Sequence, residues 1–261
     1  MERLEQPTKR KGLNKHHVFL WGMLFLVAGM VSRCILQNRV LQMGTSTGME
    51  LLEILSASGS AMAAATAALI LQALETCAIP VFAFLLVDEF EKGKSRKKML
   101  LFLLIAAIVS EIPYNYVIQG QFLNLTSRNP IFAMAFGVLV LYFFRRYSEK
   151  SAANVLVKVF VVFAAVLWMV MLNVDHGVAL LIVTVVMWAF RKKRAISSVF
   201  GAVAASACVL ISPFYIVSSM GILPVCLYRE DDEEEPAETT VVPYLIYPIL
   251  LVAVGMLANF I

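Results

Sequence analysis

Residues 78–108 read AIPVFAFLLVDEFEKGKSRKKMLLFLLIAAI, and this stretch decides the fold class. An apolar run ends in a short charged block, Asp88 to Lys98, and a second apolar run begins at Met99. Each flanking run extends to about twenty residues, the length that a helix needs to cross the hydrocarbon core of a bilayer. The block between them carries Lys92, Lys94, Arg96, Lys97 and Lys98, as the cytoplasmic connection of two spans does.

The rest of the chain repeats this pattern. Of its 261 residues, 60% are hydrophobic and 15% charged, and the mean hydropathy is +0.80. A soluble domain is less apolar, and a disordered chain would lack the apolar residues altogether. The apolar runs are continuous, whereas a membrane β-barrel shows shorter alternating segments. The expectation is an all-α, polytopic transmembrane helix bundle of about eight spans, residues 1–261 forming one integral membrane domain. The runs are 18–37, 66–90, 99–118, 130–146, 157–174, 177–190, 197–220 and 241–261. The small-residue stretch Ser56 to Ala68 either extends the second span outward or forms a short element of its own.

Charge sets the orientation. Eighteen of the 22 Lys and Arg fall in the N-terminus and in the loops after the second, fourth and sixth spans. With eight spans all of these share one side, which the positive-inside rule makes cytoplasmic. Both termini are then cytoplasmic, residues 1–17 form a basic cytoplasmic segment, and 229–240, with the acidic run Glu230 to Glu235, form an outer loop. Splitting 56–90 into two crossings would send the later basic loops outside, so it is read as one. The run from Val18 to Leu36 lacks an A-x-A cleavage site and reads as a retained helix. The location expected is the cell membrane, with the lipid bilayer as partner and no nucleic acid.

Ionisable groups inside spans are costly and therefore candidates for function. They are Glu75, Asp88 with Glu89, Glu111, and Asp175 with His176. Arg33 and Arg39, at the end of the first span, are read as snorkelling to the interface. Glu111 lies about 20 Å above the basic loop at 1.5 Å per residue. Two residues on, Pro113 frees a backbone carbonyl and opens the helix. Asp175-His176-Gly177 reads as a tight turn between two spans. The four cysteines form no C-x-x-C and have no nearby histidine, so buried packing is expected and no metal site.

Five segments, in order, resemble the TraX family of integral membrane proteins. They are Ala78-Ile79-Pro80-Val81-Phe82-Ala83-Phe84-Leu85-Leu86-Val87-Asp88, Ser110-Glu111-Ile112-Pro113-Tyr114, Asn129-Pro130-Ile131-Phe132, Asp175-His176-Gly177-Val178 and Tyr247-Pro248. TraX-like proteins are related to membrane acyltransferases, and the type member acetylates the N-terminus of conjugative pilin. The resemblance thus implies acyl transfer from acetyl-CoA or another acyl-CoA to a peptide, pilin-like or lipid-linked acceptor. This chain departs from the family at Ala28-Gly29, where Asp-His is usual, at Glu75-Thr76, where Gly-Arg is usual, and at Leu250, where a histidine is usual. With those histidines missing, the base has to come from Glu111, Asp88 or the pair Asp175 and His176. Lys94, Arg96, Lys97 and Lys98 suit the phosphates of a donor. The alternatives are a non-catalytic scaffold or accessory subunit and, behind it, a transporter, which would be expected to show paired broken helices.

Overall fold

A computed structural model describes residues 12–43, 48–122, 124, 126–229 and 242–260. Among them the chain is helical almost throughout, with no strand. Four stretches, Lys15–Val40, Gly59–Lys92, Arg96–Gln119 and Ala152–Met171, are long and apolar enough to cross a membrane, and several shorter apolar helices pack with them.

Helix α1 (Lys15–Val31) starts where Asn14 accepts a hydrogen bond from the His17 N–H, and it continues as wider π-turns over Ser32–Val40. After α2 (Gly48–Ala57), the helices α3 (Gly59–Glu75) and α4 (Ala78–Lys92) run back along it as one rod broken at Thr76 and Cys77. The pairing is antiparallel. Lys15 Nζ lies 2.7 Å from Glu89 Oε2 at one end, Gly22 faces Val81 and Phe82 in the middle, and Ser32 Oγ donates to the Ala68 carbonyl further on. Residues 66–90 thus form one traverse, and Ser56 to Ala68 spans the end of α2 and the outward extension of α3.

The remaining helices are α5 (Arg96–Gln119), α6 (Ile131–Arg146), α7 (Ala152–Met171), α8 (Gly177–Ala189) and α9 (Arg194–Ala207). Serine side chains cap α3, α5 and α7, accepting the otherwise unpaired N–H groups of their first turns. Gly120, at φ +67°, closes α5 in the left-handed region that suits glycine. Glu91, near the end of α4, accepts from Trp188 Nε1 at 2.9 Å and sits 3.2 Å from Arg191 Nε and 3.8 Å from Arg145 Nη1. The basic stretches 92–98, 145–150 and 191–194 therefore gather at the same end as Lys15. Helix α7 is the most peripheral, with Phe160, Phe163 and Trp168 on an outward apolar face.

The run 197–220 is not one segment, and this corrects the sequence reading. Helix α9 stops at Ala207. The Ser212-Pro213 step holds Ser212 extended, as a residue before proline prefers. The chain then returns through a 3₁₀ segment, Pro213–Gly221, and α10 (Ile222–Leu227). It arrives back at the basic end. There Arg229 N donates to the Leu13 carbonyl at 2.8 Å, and the Arg194 guanidinium donates to the carbonyls of Val225 and Tyr228. Charge counting could not detect this turn, because residues 208–212 carry no Lys or Arg.

Two expectations change with it. Arg229, the first residue of the expected outer loop, lies at the basic end, and the acidic run Glu230 to Glu235 is outside the described residues. Helix α11 (Val242–Ala258) ends at the opposite end, where Asn259 Oδ1 accepts from Arg39 at 2.5 Å and from Tyr116 at 3.1 Å. Leu13 and Asn259 therefore sit at opposite ends of the bundle, not on one side. A membrane-impermeant thiol reagent applied to one face should accordingly modify Arg229→Cys or Asn259→Cys in a cysteine-free background, but not both. Modification of both from the same face would overturn this topology.

Candidate functional site

The site lies in the half of the bundle away from the basic loops, where three elements leave regular α-geometry. The π-turns after α1 present Arg33, the break after α3 presents Glu75, and the 3₁₀ segment presents Tyr215. Irregular backbone at membrane depth persists only where protein buries it or a polar cavity accepts it.

Glu75 is buried because Gly29 of the facing helix makes room for it. A Cβ at position 29 would overlap the Glu75 carboxyl group. Asp175 and His176 come from the short connection between α7 and α8. Asn173 and His176 both take left-handed φ there, +47° and +54°, a conformation that is uncommon outside glycine. The connection is held against the start of α6, where Arg128 N donates to the Asn173 carbonyl and Asp175 N donates to the Arg128 carbonyl at 2.9 Å.

Arg33 is the hub. Nη1 donates to Asp175 Oδ2 at 2.5 Å and Nη2 to Glu75 Oε2 at 2.7 Å, with its side chain 12% exposed. Nη2 also lies 3.2 Å from His176 Nε2, which is 3.6 Å from Glu75 and 3.7 Å from Asp175 Oδ1. Tyr114 Oη donates to Asp175 Oδ2 at 3.1 Å. On the other side of the imidazole ring, Nδ1 is 2.8 Å from Tyr215 Oη, and the two rings meet edge to face. The 3₁₀ segment that carries Tyr215 is pinned to the break after α3. Thr76 Oγ1, which donates to the Ala73 carbonyl at 2.7 Å, lies 3.3 Å from the Phe214 carbonyl, and Gly221 lies so close to the Cys77 carbonyl that a Cβ would overlap it.

Arg33, Asp175, His176 and Tyr215 line a cleft of about 440 Å³, completed by Gln37, Gln72, Thr76, Ile118, Ser212 and Phe214. Glu75, Asp175 and His176 could each offer one ligand atom within 4.8 Å of the others. The donor set does not fit a metal as it stands, because the Arg33 guanidinium already occupies both carboxylates. What the cleft offers instead is an imidazole between a phenol and carboxylates, walled by amide and hydroxyl groups.

Of the residues singled out from the sequence, Glu75, Asp175 and His176 belong to this cluster. Glu111 does not line the cleft. Arg128 Nη1 binds it at 2.8 Å and Asn129 Nδ2 at 2.7 Å, so it braces the backbone on which Asp175 hangs. Asp88 lies at the basic end with Lys92 at 2.6 Å and Lys15 at 3.4 Å, 13 residues from Glu75 along the rod, or roughly 20 Å. Lys94, Lys97 and Lys98 are exposed at that same end, while Arg96 donates to the Phe90 carbonyl and stacks on its ring. The sequence reading missed Tyr215 and Arg128, and it assigned Arg33 to the interface. One signal was available. The expected first span, 18–37, runs four residues past Arg33, and a guanidinium inside a span calls for carboxylate partners.

A bundle of apolar helices around one internal polar cluster defines a polytopic membrane protein. The sequence model of the family described as TraX protein matches residues 23–258, and the chain belongs to the TraX family. No curated protein and no solved structure matches it.

Proposed function

We propose that the chain is a membrane acyltransferase, with His176 as the base and acetyl-CoA or another acyl-CoA as donor. The observation that carries this reading is the placement of His176 on the cleft wall, between Tyr215 Oη and the Glu75–Arg33–Asp175 group. Acyl transfer needs a base for the acceptor's proton and donors for the developing oxyanion. The imidazole supplies the first, and the Arg33 guanidinium stands beside it for the second. Family membership supports the same chemistry. The acceptor is a peptide, pilin-like or lipid-linked amine or hydroxyl reaching the cleft from the end away from the basic loops. Lys94, Lys97 and Lys98 do not line the cleft, and the role that suits them is attraction to an anionic membrane surface.

The test is release of free thiol from acetyl-CoA and palmitoyl-CoA by the purified protein in detergent, with amine and hydroxyl acceptors supplied in turn. Thiol release that rises with one acceptor class supports the reading. No release from either donor overturns it and favours a non-catalytic scaffold, a second reading consistent with Arg33 already neutralising both carboxylates.

A further inference from the structure

From the Tyr215–His176 pair we infer that Tyr215 is an acyl-carrying nucleophile, so that transfer proceeds in two displacements through a tyrosyl ester. This inference rests on the acyltransferase reading and adds a covalent step to it. An activated nucleophile is recognised by a base within hydrogen-bond reach and a third group that orients the base. Tyr215 Oη lies 2.8 Å from His176 Nδ1, and the opposite ring nitrogen faces Glu75 at 3.6 Å and Asp175 at 3.7 Å. The step uses the tautomer that carries its proton on Nε2, directed at those carboxylates beside Arg33 Nη2 at 3.2 Å, which leaves the Nδ1 lone pair toward the phenol. The 3₁₀ segment, fixed by Thr76 and Gly221, holds the phenol in place.

The energetics match, since phenolate and thiolate are leaving groups of comparable basicity. An acyl group moved from a thioester to a phenol keeps most of its transfer potential.

In the first displacement the phenolic proton passes to His176 Nδ1 as the oxygen attacks the thioester carbonyl carbon. The C–S bond then breaks, and the departing thiolate takes that proton from His176, which returns the imidazole to its neutral form as free thiol leaves. In the second, an acceptor amine or hydroxyl attacks the tyrosyl ester carbonyl and gives its proton to His176. The bond to the phenolic oxygen breaks, and Tyr215 recovers its proton. The net change is an acyl group exchanged for a proton between thiol and acceptor.

The experiment mixes the full-length native protein, or its Tyr215→Phe variant, with acetyl-CoA without added acceptor. It then quenches in acid and maps acetylated peptides by fragmentation. The native protein should show a burst of thiol approaching one per chain and a hydroxylamine-labile acetyl group on Tyr215. Tyr215→Phe keeps the ring that packs on His176, so it should match the native melting temperature. It should nevertheless lose the burst, with steady thiol release falling on the order of 10²-fold or more. Turnover without a burst, or an equally active Tyr215→Phe, overturns the covalent step and leaves direct transfer standing. An absence of thiol release in this acceptor-free mixture overturns the covalent step alone, whereas an absence with both acyl-CoA donors and every acceptor class overturns the acyltransferase reading itself, and this inference with it.

Discussion

Replacing Arg33 with methionine is expected to destabilise the bundle by about 3–5 kcal/mol, the usual cost of removing one partner from a buried ion pair. The methionine keeps the length and apolar stem but leaves Glu75 and Asp175 facing each other across a space once filled by the guanidinium. The comparison that gives this figure meaning is Lys15→Met at the basic end. Lys15 also bridges two acids, Asp88 and Glu89, but its side chain is 32% exposed, and pairs near water contribute about 0–1 kcal/mol. Thermal unfolding in detergent should therefore separate the two variants clearly. Adding Glu75→Gln and Asp175→Asn to Arg33→Met removes the stranded charges and should recover part of the loss in melting temperature. If Arg33→Met melts with Lys15→Met, or the triple variant recovers nothing, the Arg33 cluster is not the electrostatic centre of the fold.

The same cluster shows where sequence reading succeeds and where it stops. Helix positions were legible because hydrocarbon length and apolar composition dictate them locally, as in residues 99–118 and α5. The common end of the basic loops was legible because Lys and Arg mark it. Direction past Ala207 was not, since an uncharged turn between two short apolar segments carries no charge signal. Glu75, Asp175 and His176 were each visible as ionisable residues in apolar surroundings, but their coming together around Arg33 was not. Glu75 is a hundred residues away from Asp175, and Arg33 is 142. Nothing local couples Gly29 to Glu75, although the space left by one holds the other. Gly29 and Glu75 are therefore one packing event: an acidic group at 75 fills the place where a side chain at 29 would stand.

Glu111 illustrates the difference between an expensive residue and a reacting one. Its burial in an apolar run marked it as functional, and the proline two residues on suggested a cavity. Its carboxylate instead holds Arg128 and Asn129, and its influence on Asp175 passes through the Arg128 carbonyl. A positioning role of this kind is spread across two segments that the sequence separates by about fifty residues. It becomes visible only when both are seen together.

Chemistry should follow the cluster, not the acidic residue nearest the basic loop. His176→Asn is the informative change, because asparagine tolerates the left-handed φ of +54° that the turn imposes while the imidazole is removed. If His176 is the base, acyl turnover should fall by roughly 10²–10⁴-fold with little change in melting temperature. Asp88→Asn is the matched control. It alters a carboxylate that two lysines hold at the far end of the α3–α4 rod from the cleft, and turnover should stay within about twofold, since a general base must reach its proton directly or through one water. The two variants divide the possibilities cleanly. A collapse of turnover in Asp88→Asn with activity retained in His176→Asn would move the reaction to the basic end and reject the cleft as its site.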